Sequence, residues 1–63
     1  MYTLEKVLEL VNAGSDIYCV LFRYGRACGE GWLSDLDLDS HRRIESYRLE
    51  TDDEGDYLVL MEA

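Results

Sequence analysis

The segment "SDLDLDSHRR" places Asp35, Asp37 and Asp39 at every second position. Three interpretations compete for carboxylates at this spacing: a calcium loop, a row of negative charge that imitates something else, or an ordinary strand with one wet face. An EF-hand loop requires glycine at its sixth position and glutamate at its twelfth. Counted from Asp35, those positions hold Ser40 and Ser46. The pattern therefore argues against calcium.

An extended conformation of the same segment would turn Leu36 and Leu38 inward and place the aspartates on one outer face. Alternate strand residues lie about 6.6 Å apart, which is of the order of the gap between neighbouring phosphates along one DNA strand. Such a row could meet the arginines and lysines that hold a nucleic-acid backbone. The plainer alternative is a solvated edge strand whose charges prevent aggregation.

A second acidic cluster, "ETDDEGD", surrounds a predicted hairpin turn. It is also consistent with a simple solvated turn. Together with the three aspartates above, its acidic side chains are the candidate partner-binding residues, and they are Glu50, Asp52, Asp53, Glu54 and Asp56.

The charge balance limits the class of partner. Fourteen acidic residues stand against six basic ones, which leaves a net charge of −8. Direct nucleic-acid binding and anionic membrane surfaces both require a basic surface and are disfavoured. An acidic protein is drawn instead to basic surfaces, which are common on nucleic-acid-handling proteins. No apolar stretch approaches the roughly 18 residues of a membrane span, and the first residues lack the basic region of a signal peptide. We expect an intracellular, cytoplasmic protein.

The inventory of reactive residues predicts no catalysis, no metal and no cofactor. A zinc site takes about four nitrogen or sulfur ligands, and the chain offers only Cys19, Cys28 and His41. We expect Cys19 to be a buried, reduced, small hydrophobe. The glycines of "GRACGEGW", residues 25–32, fit neither a dinucleotide fingerprint nor a P-loop. That segment is predicted to be a flexible loop.

The first element is a helix over residues 3–13. Leu4, Val7, Leu8 and Val11 fall at i, i+3, i+4 and i+7 and form one apolar face. Thr3 is a suitable N-cap residue, because threonine is common at that position. Gly14 suits the position after the last turn, where glycine is common. Because so short a helix is marginal alone, its apolar face must dock on another element.

Strands account for most of the remaining chain. Residues 16–24 are apolar on both alternations, as expected in the middle of a sheet, with one of the two faces rich in aromatics. A further strand is predicted within residues 32–38, and a hairpin joins 43–50 to 57–62.

The hairpin register pairs Leu49 with Leu58 and Tyr47 with Leu60, so that these four share one face. The predicted fold is a single α+β domain over residues 1–63. One N-terminal amphipathic helix packs on a three- to four-stranded, mostly antiparallel sheet.

In its small size, its charge of −8 and its acidic segments "DLDLD" and "ETDDEGD", the chain resembles small acidic phage-encoded inhibitors of bacterial defence. These include anti-CRISPR proteins that imitate DNA. The resemblance implies a non-enzymatic inhibitor that blocks the nucleic-acid site of a defence complex in the bacterial cytoplasm. It carries over no site residues, because no motif is shared. The alternative is a small structural or self-associating module, a homodimer that buries the aromatic sheet face carrying Tyr18, Phe22 and Tyr57.

Overall fold

The computed structural model describes residues 1–14 and 16–62 and shows an α+β fold. In these residues the elements are, in chain order, β1 (Tyr2–Thr3), α1 (Leu4–Val11), β2 (Tyr18–Arg23), β3 (Arg26–Trp32), α2 (Leu33–Leu36), β4 (Arg43–Asp52) and β5 (Gly55–Glu62).

The strands form one mixed sheet in the order β1-β4-β5-β2-β3. Three neighbouring pairs are antiparallel, whereas β2 and β5 run parallel. The α+β class with a helix on a sheet is therefore confirmed. The predicted three or four strands become five, and the parallel pair was not predicted. Strand β5 lies at the centre of the sheet, and its residues Leu58, Val59 and Leu60 are all buried, as is expected of an apolar run in a central strand.

The predicted register of the β4–β5 hairpin is confirmed. Leu49 lies opposite Leu58 and Tyr47 opposite Leu60. The strands continue further than expected, until Asp52 pairs with Gly55, so the turn is a tight one. A bulge between Ile44 and Ser46 shifts the alternation, which lets Ile44 join the helix-facing side.

Helix α1 begins where the sequence predicts. The Thr3 hydroxyl accepts a hydrogen bond from the Lys6 backbone N–H at 3.2 Å, which satisfies one of the free donors of the first turn. The apolar face buries Leu4 and Val7 completely. The helix ends earlier than predicted, because Asn12 adopts the left-handed conformation (φ 53°) expected of Gly14.

The core lies between α1 and the sheet. It comprises Leu4, Val7, Ile17, Cys19, Leu21, Ile44, Leu58 and Leu60. As predicted, Cys19 is a free, buried cysteine. Burial raises the pKa of its thiol to about 11, so the side chain stays protonated and behaves as a hydrophobe.

The glycine-rich segment 25–32 is not the flexible loop that we predicted, because most of it forms β3. One of its glycines makes room for packing. A Cβ atom on Gly31 would lie 3.3 Å from the Leu36 side chain, closer than usual, whereas one on Gly29 would make only an ordinary contact with Leu21 at 3.6 Å. The bare backbone at Gly31 thus lets α2 pack closely on β3.

The strand predicted within residues 32–38 is also wrong. Only Trp32 belongs to a strand, and the chain then turns into α2. Leu33 and Leu36 stand at helical i, i+3 spacing, and both pack against the core. Asp37 ends the helix in the left-handed conformation, with φ 51°. Packing of the leucines therefore overrides the period-two pattern of the segment.

Candidate functional site

The three aspartates of the first acidic segment do not form a row on a strand. Asp35 lies within α2, Asp37 ends that helix, and Asp39 lies in the following turn. There the Asp39 carboxylate accepts a hydrogen bond from the His41 backbone N–H at 2.8 Å. This hydrogen bond holds the pKa of Asp39 below its usual value. The phosphate-like spacing that motivated a charge row required an extended chain and is therefore lost.

The second cluster is brought together by the β4–β5 turn. We call it the tip cluster, and its members are Glu50, Asp52, Asp53, Glu54 and Asp56. Asp52 accepts the Glu54 backbone N–H at 2.9 Å, and Asp56 accepts the Thr51 hydroxyl at 2.7 Å. These bonds order the turn and leave the carboxylates exposed except that of Glu50, which is half-buried.

Charge is separated along the strand direction. At the end of the sheet that holds the tip cluster, Glu30 of β3 and Asp16 ahead of β2 add two further carboxylates. We call this the acidic end, and its seven members are half of the 14 acidic residues. Four arginines occupy the opposite end, where β2 meets β3 and β4 begins: Arg23, Arg26, Arg42 and Arg43.

Two of the arginines at the opposite end are occupied within the molecule. The Glu62 side chain, only 2% exposed, contacts the Arg42 guanidinium and lies 3.4 Å from that of Arg23. At the acidic end, the described contacts include one ion pair, between Arg48 and Glu50 at 3.4 Å. The acidic end therefore keeps most of its negative charge for an external partner.

A groove opens on the sheet beside the tip cluster. We call it the aromatic groove; it has a volume of about 420 Å³. Three aromatic residues from three strands and several carboxylates line it, namely Tyr18, Trp32, Tyr57, Glu30, Asp52 and Glu54. None of the described residues that line it is basic. The groove thus combines apolar rings with negative charge.

The aromatic pair in the groove is ordered. The rings of Tyr18 and Trp32 meet edge to face, with centroids 5.6 Å apart and an interplanar angle of 87°. The Tyr18 hydroxyl donates a hydrogen bond to Glu30 at 2.9 Å. This bond raises the pKa of Tyr18, and the charges of Glu30 and Glu54 raise it further. The Tyr18 hydroxyl therefore lies in a negative field.

Sequence reasoning found only part of this site. It identified the tip cluster and the aromatic sheet face that carries Tyr18 of β2 and Tyr57 of β5. It missed Glu30 and Trp32, because both lay in or at the edge of the supposed loop. The alternation of small and large residues in "CGEGW" was the available signal, since it places Glu30 and Trp32 on one face of a strand.

The aromatic groove belongs to the sheet face that points away from α1. We call this the uncovered face, and it carries Val20, Phe22, Tyr57, Val59 and Met61. In residues 1–14 and 16–62 the apolar side chains of both helices pack on the core side of the sheet, which is the opposite face. Val59 is only 6% exposed.

Within the described part of the chain, no three histidine, cysteine or acidic side chains converge in a way that could hold a metal ion. Neither described helix has the length and apolar character that a membrane crossing requires. No protein-family model, curated protein or solved structure matches the chain. The charge separation and the aromatic groove are the features of the molecule that bear on its function.

Proposed function

We propose that this protein is a non-enzymatic inhibitor whose acidic end occupies a basic, nucleic-acid-binding site on a partner protein. It acts in the cytoplasm, that of the host bacterium if a phage encodes the chain, where a defence complex of the anti-CRISPR target type is the fitting partner. The observation that carries the proposal is the charge separation. Half of the acidic residues lie at one end of the sheet, while the arginines lie mainly at the other.

The charge separation favours recognition of the acidic end by electrostatic attraction. Exposed carboxylates on a turn can approach a basic cleft, and a one-sign surface steers such an encounter. The C-terminus of α1 lines one groove together with Glu54 and Asp56, and a helix C-terminus adds partial negative charge. In this proposal the tip cluster replaces the aspartate row as the main contact, with Asp35, Asp37 and Asp39 left to contribute to the general field.

A second candidate function is the self-associating module. It is supported by the uncovered face, where Phe22, Tyr57 and Met61 remain partly accessible. Contiguous apolar surface of this kind marks interaction sites. In this reading a second copy would cover the face, and the acidic end would serve to keep the assembly dispersed.

The charge proposal is tested by neutralising the tip cluster without changing its shape. A triple variant, Asp52→Asn, Asp53→Asn and Glu54→Gln, keeps the hydrogen-bond acceptor of Asp52. Immobilised wild-type protein should retain basic nucleic-acid-binding proteins from a bacterial lysate, and both added duplex DNA and rising salt should elute them. The triple variant should retain far less, because screened charge attraction provides the contact.

The matched control is the triple variant Asp35→Asn, Asp37→Asn and Asp39→Asn, which removes the same number of charges. Retention by this control should stay close to wild type. Equal loss from both variants would show that net charge alone steers binding. Retained proteins that neither DNA nor salt displaces would contradict the proposal.

A further inference from the structure

We infer that the aromatic groove receives an arginine side chain of the partner, with the guanidinium against the ring of Trp32 and the carboxylate of Glu30, while Asp52 adds negative charge across the groove. This inference rests on the proposed function, because it assigns the central contact of that same acidic end. It commits to one occupant, an arginine from a basic protein, and the commitment follows from charge complementarity and from the rings.

The rings provide a surface suited to a flat cation. Trp32 is 51% exposed, and its edge-to-face contact with Tyr18 fixes its plane. A cation over an indole face is attracted by the negative face of the ring, and the attraction is stronger when the cation is desolvated. Because β2 and β3 hold both rings, their arrangement does not have to form on binding, and little side-chain entropy is lost.

The carboxylates provide the matching charge. Glu30 is already oriented by the Tyr18 hydroxyl, and Asp52 by the backbone of the turn. Each carboxylate has acceptor capacity left after accepting one such bond. A guanidinium presents its donors in a planar fork that suits carboxylates and stacks on aromatic rings, whereas an ammonium group is a compact, strongly hydrated point charge. The groove therefore favours arginine over lysine.

The size of the groove fits one side chain and the backbone next to it. Its volume of about 420 Å³ lies near the lower limit of small-ligand pockets, which span roughly 300–1,000 Å³. A second copy of this chain is a poorer occupant, because it would bring another acidic end towards the first, and each whole chain carries a net charge of −8.

The single tryptophan of the chain makes the inference directly measurable. The probes are three peptides of alternating glycine and a test residue, with arginine, lysine or citrulline as that residue. Citrulline keeps the shape of arginine without its charge. The arginine peptide should shift the Trp32 emission saturably, the lysine peptide should bind about tenfold more weakly, and the citrulline peptide should not bind.

Two variants locate the effect. Tyr57→Leu removes a ring from the groove and should weaken the arginine peptide several-fold. Tyr2→Leu is the matched control, because it removes a ring from the edge-to-face pair with Tyr47 on the other side of the sheet, and it should leave binding unchanged. Circular dichroism of both variants confirms that each is folded.

Equal affinity for arginine and lysine peptides, or equal effects of the two tyrosine variants, would overturn the inference. So would a shift of the Trp32 emission with protein concentration alone, accompanied by a dimer in sedimentation, because a second copy would then fill the groove. Loss of partner retention in the tip-cluster variant, combined with a Trp32 emission that ignores the arginine peptide, would reject the arginine site and leave the proposed function standing.

Discussion

Glu62 is the one buried charged residue among those described, with 5% of its surface exposed. Its two arginine partners are more accessible: the side chain of Arg23 is 51% exposed and that of Arg42 is 35% exposed, so both can reach water. Removal of an arginine leaves a buried carboxylate short of partners, whereas removal of the carboxylate leaves arginines that water can solvate. Breaking this cluster should therefore have unequal costs, depending on which side is removed.

We predict that Arg42→Met lowers the free energy of unfolding by roughly 2–3 kcal/mol. Glu62→Met should stay within about 1 kcal/mol of the wild type, because replacing a buried charge with an apolar side chain of similar volume is often neutral. Urea denaturation of the two variants measures both values. An equal loss of unfolding free energy in the two variants would contradict this, because it would show that removing Glu62 costs as much as removing Arg42.

At the scale of elements, sequence patterns predicted the helix and the hairpin, because the local periodicity of apolar residues determines both. The spacing of Leu4, Val7, Leu8 and Val11 was sufficient for α1, and the alternation around Leu58 was sufficient for the hairpin register. Both depend on which face a residue must bury, and a slip by one residue would expose the apolar set. The tip cluster was predictable for the same reason, since the register determines where the turn falls.

Strand β3 and helix α2 could not be predicted in this way, because tertiary packing decides both. Gly29 and Gly31 indicate a loop if judged by backbone freedom alone, yet they lie under neighbouring side chains. The "DLDLD" alternation indicates a strand, but the segment begins in a helical turn from which Leu33 and Leu36 pack against the core. The aromatic groove depends on β3 and was missed together with it.

Asp16 docks α2 on the rest of the fold. Its carboxylate accepts hydrogen bonds from the Ser34 hydroxyl at 2.8 Å and from the Ser34 backbone N–H at 3.0 Å. These two bonds hold the pKa of Asp16 below the ordinary value of 3.8. The ionised form is therefore favoured in the folded protein. Its contribution to stability is present above pH 3.8 and is lost as the pH falls through the lowered pKa.

We predict that Asp16→Ala is less stable than the wild type at pH 7. The difference should narrow below pH 3.8, as the wild-type carboxyl itself becomes protonated. Thermal melts at a series of pH values measure this difference. Asp53→Ala, which removes an exposed aspartate of the turn, is the control and should follow the wild type at every pH. If the stability difference between Asp16→Ala and the wild type stayed constant into strong acid, the Asp16 side chain would act without its charge.

At the scale of the whole molecule, two features favour different partners. The acidic end favours a basic protein, and the uncovered face favours apolar contact with a second copy. Their dependence on salt differs in sign. Salt screens attraction between unlike charges over about 8–10 Å and weakens such a complex. It equally screens the repulsion between two copies that each carry a net charge of −8, and so permits their apolar faces to meet.

We therefore predict that the protein is a monomer at low ionic strength and that its complex with a basic partner loosens as salt rises. Sedimentation measures the first property, and competition by duplex DNA across a salt series measures the second.

The triple variant of Asp52, Asp53 and Glu54 removes three of the eight net negative charges. If charge governs function, this variant no longer binds the partner and stays monomeric. If the uncovered face governs, the same variant dimerises more readily than the wild type at low salt, because less repulsion opposes the apolar contact. A dimer that strengthens with salt, with partner binding unaffected by the variant, would transfer the function from the acidic end to the uncovered face.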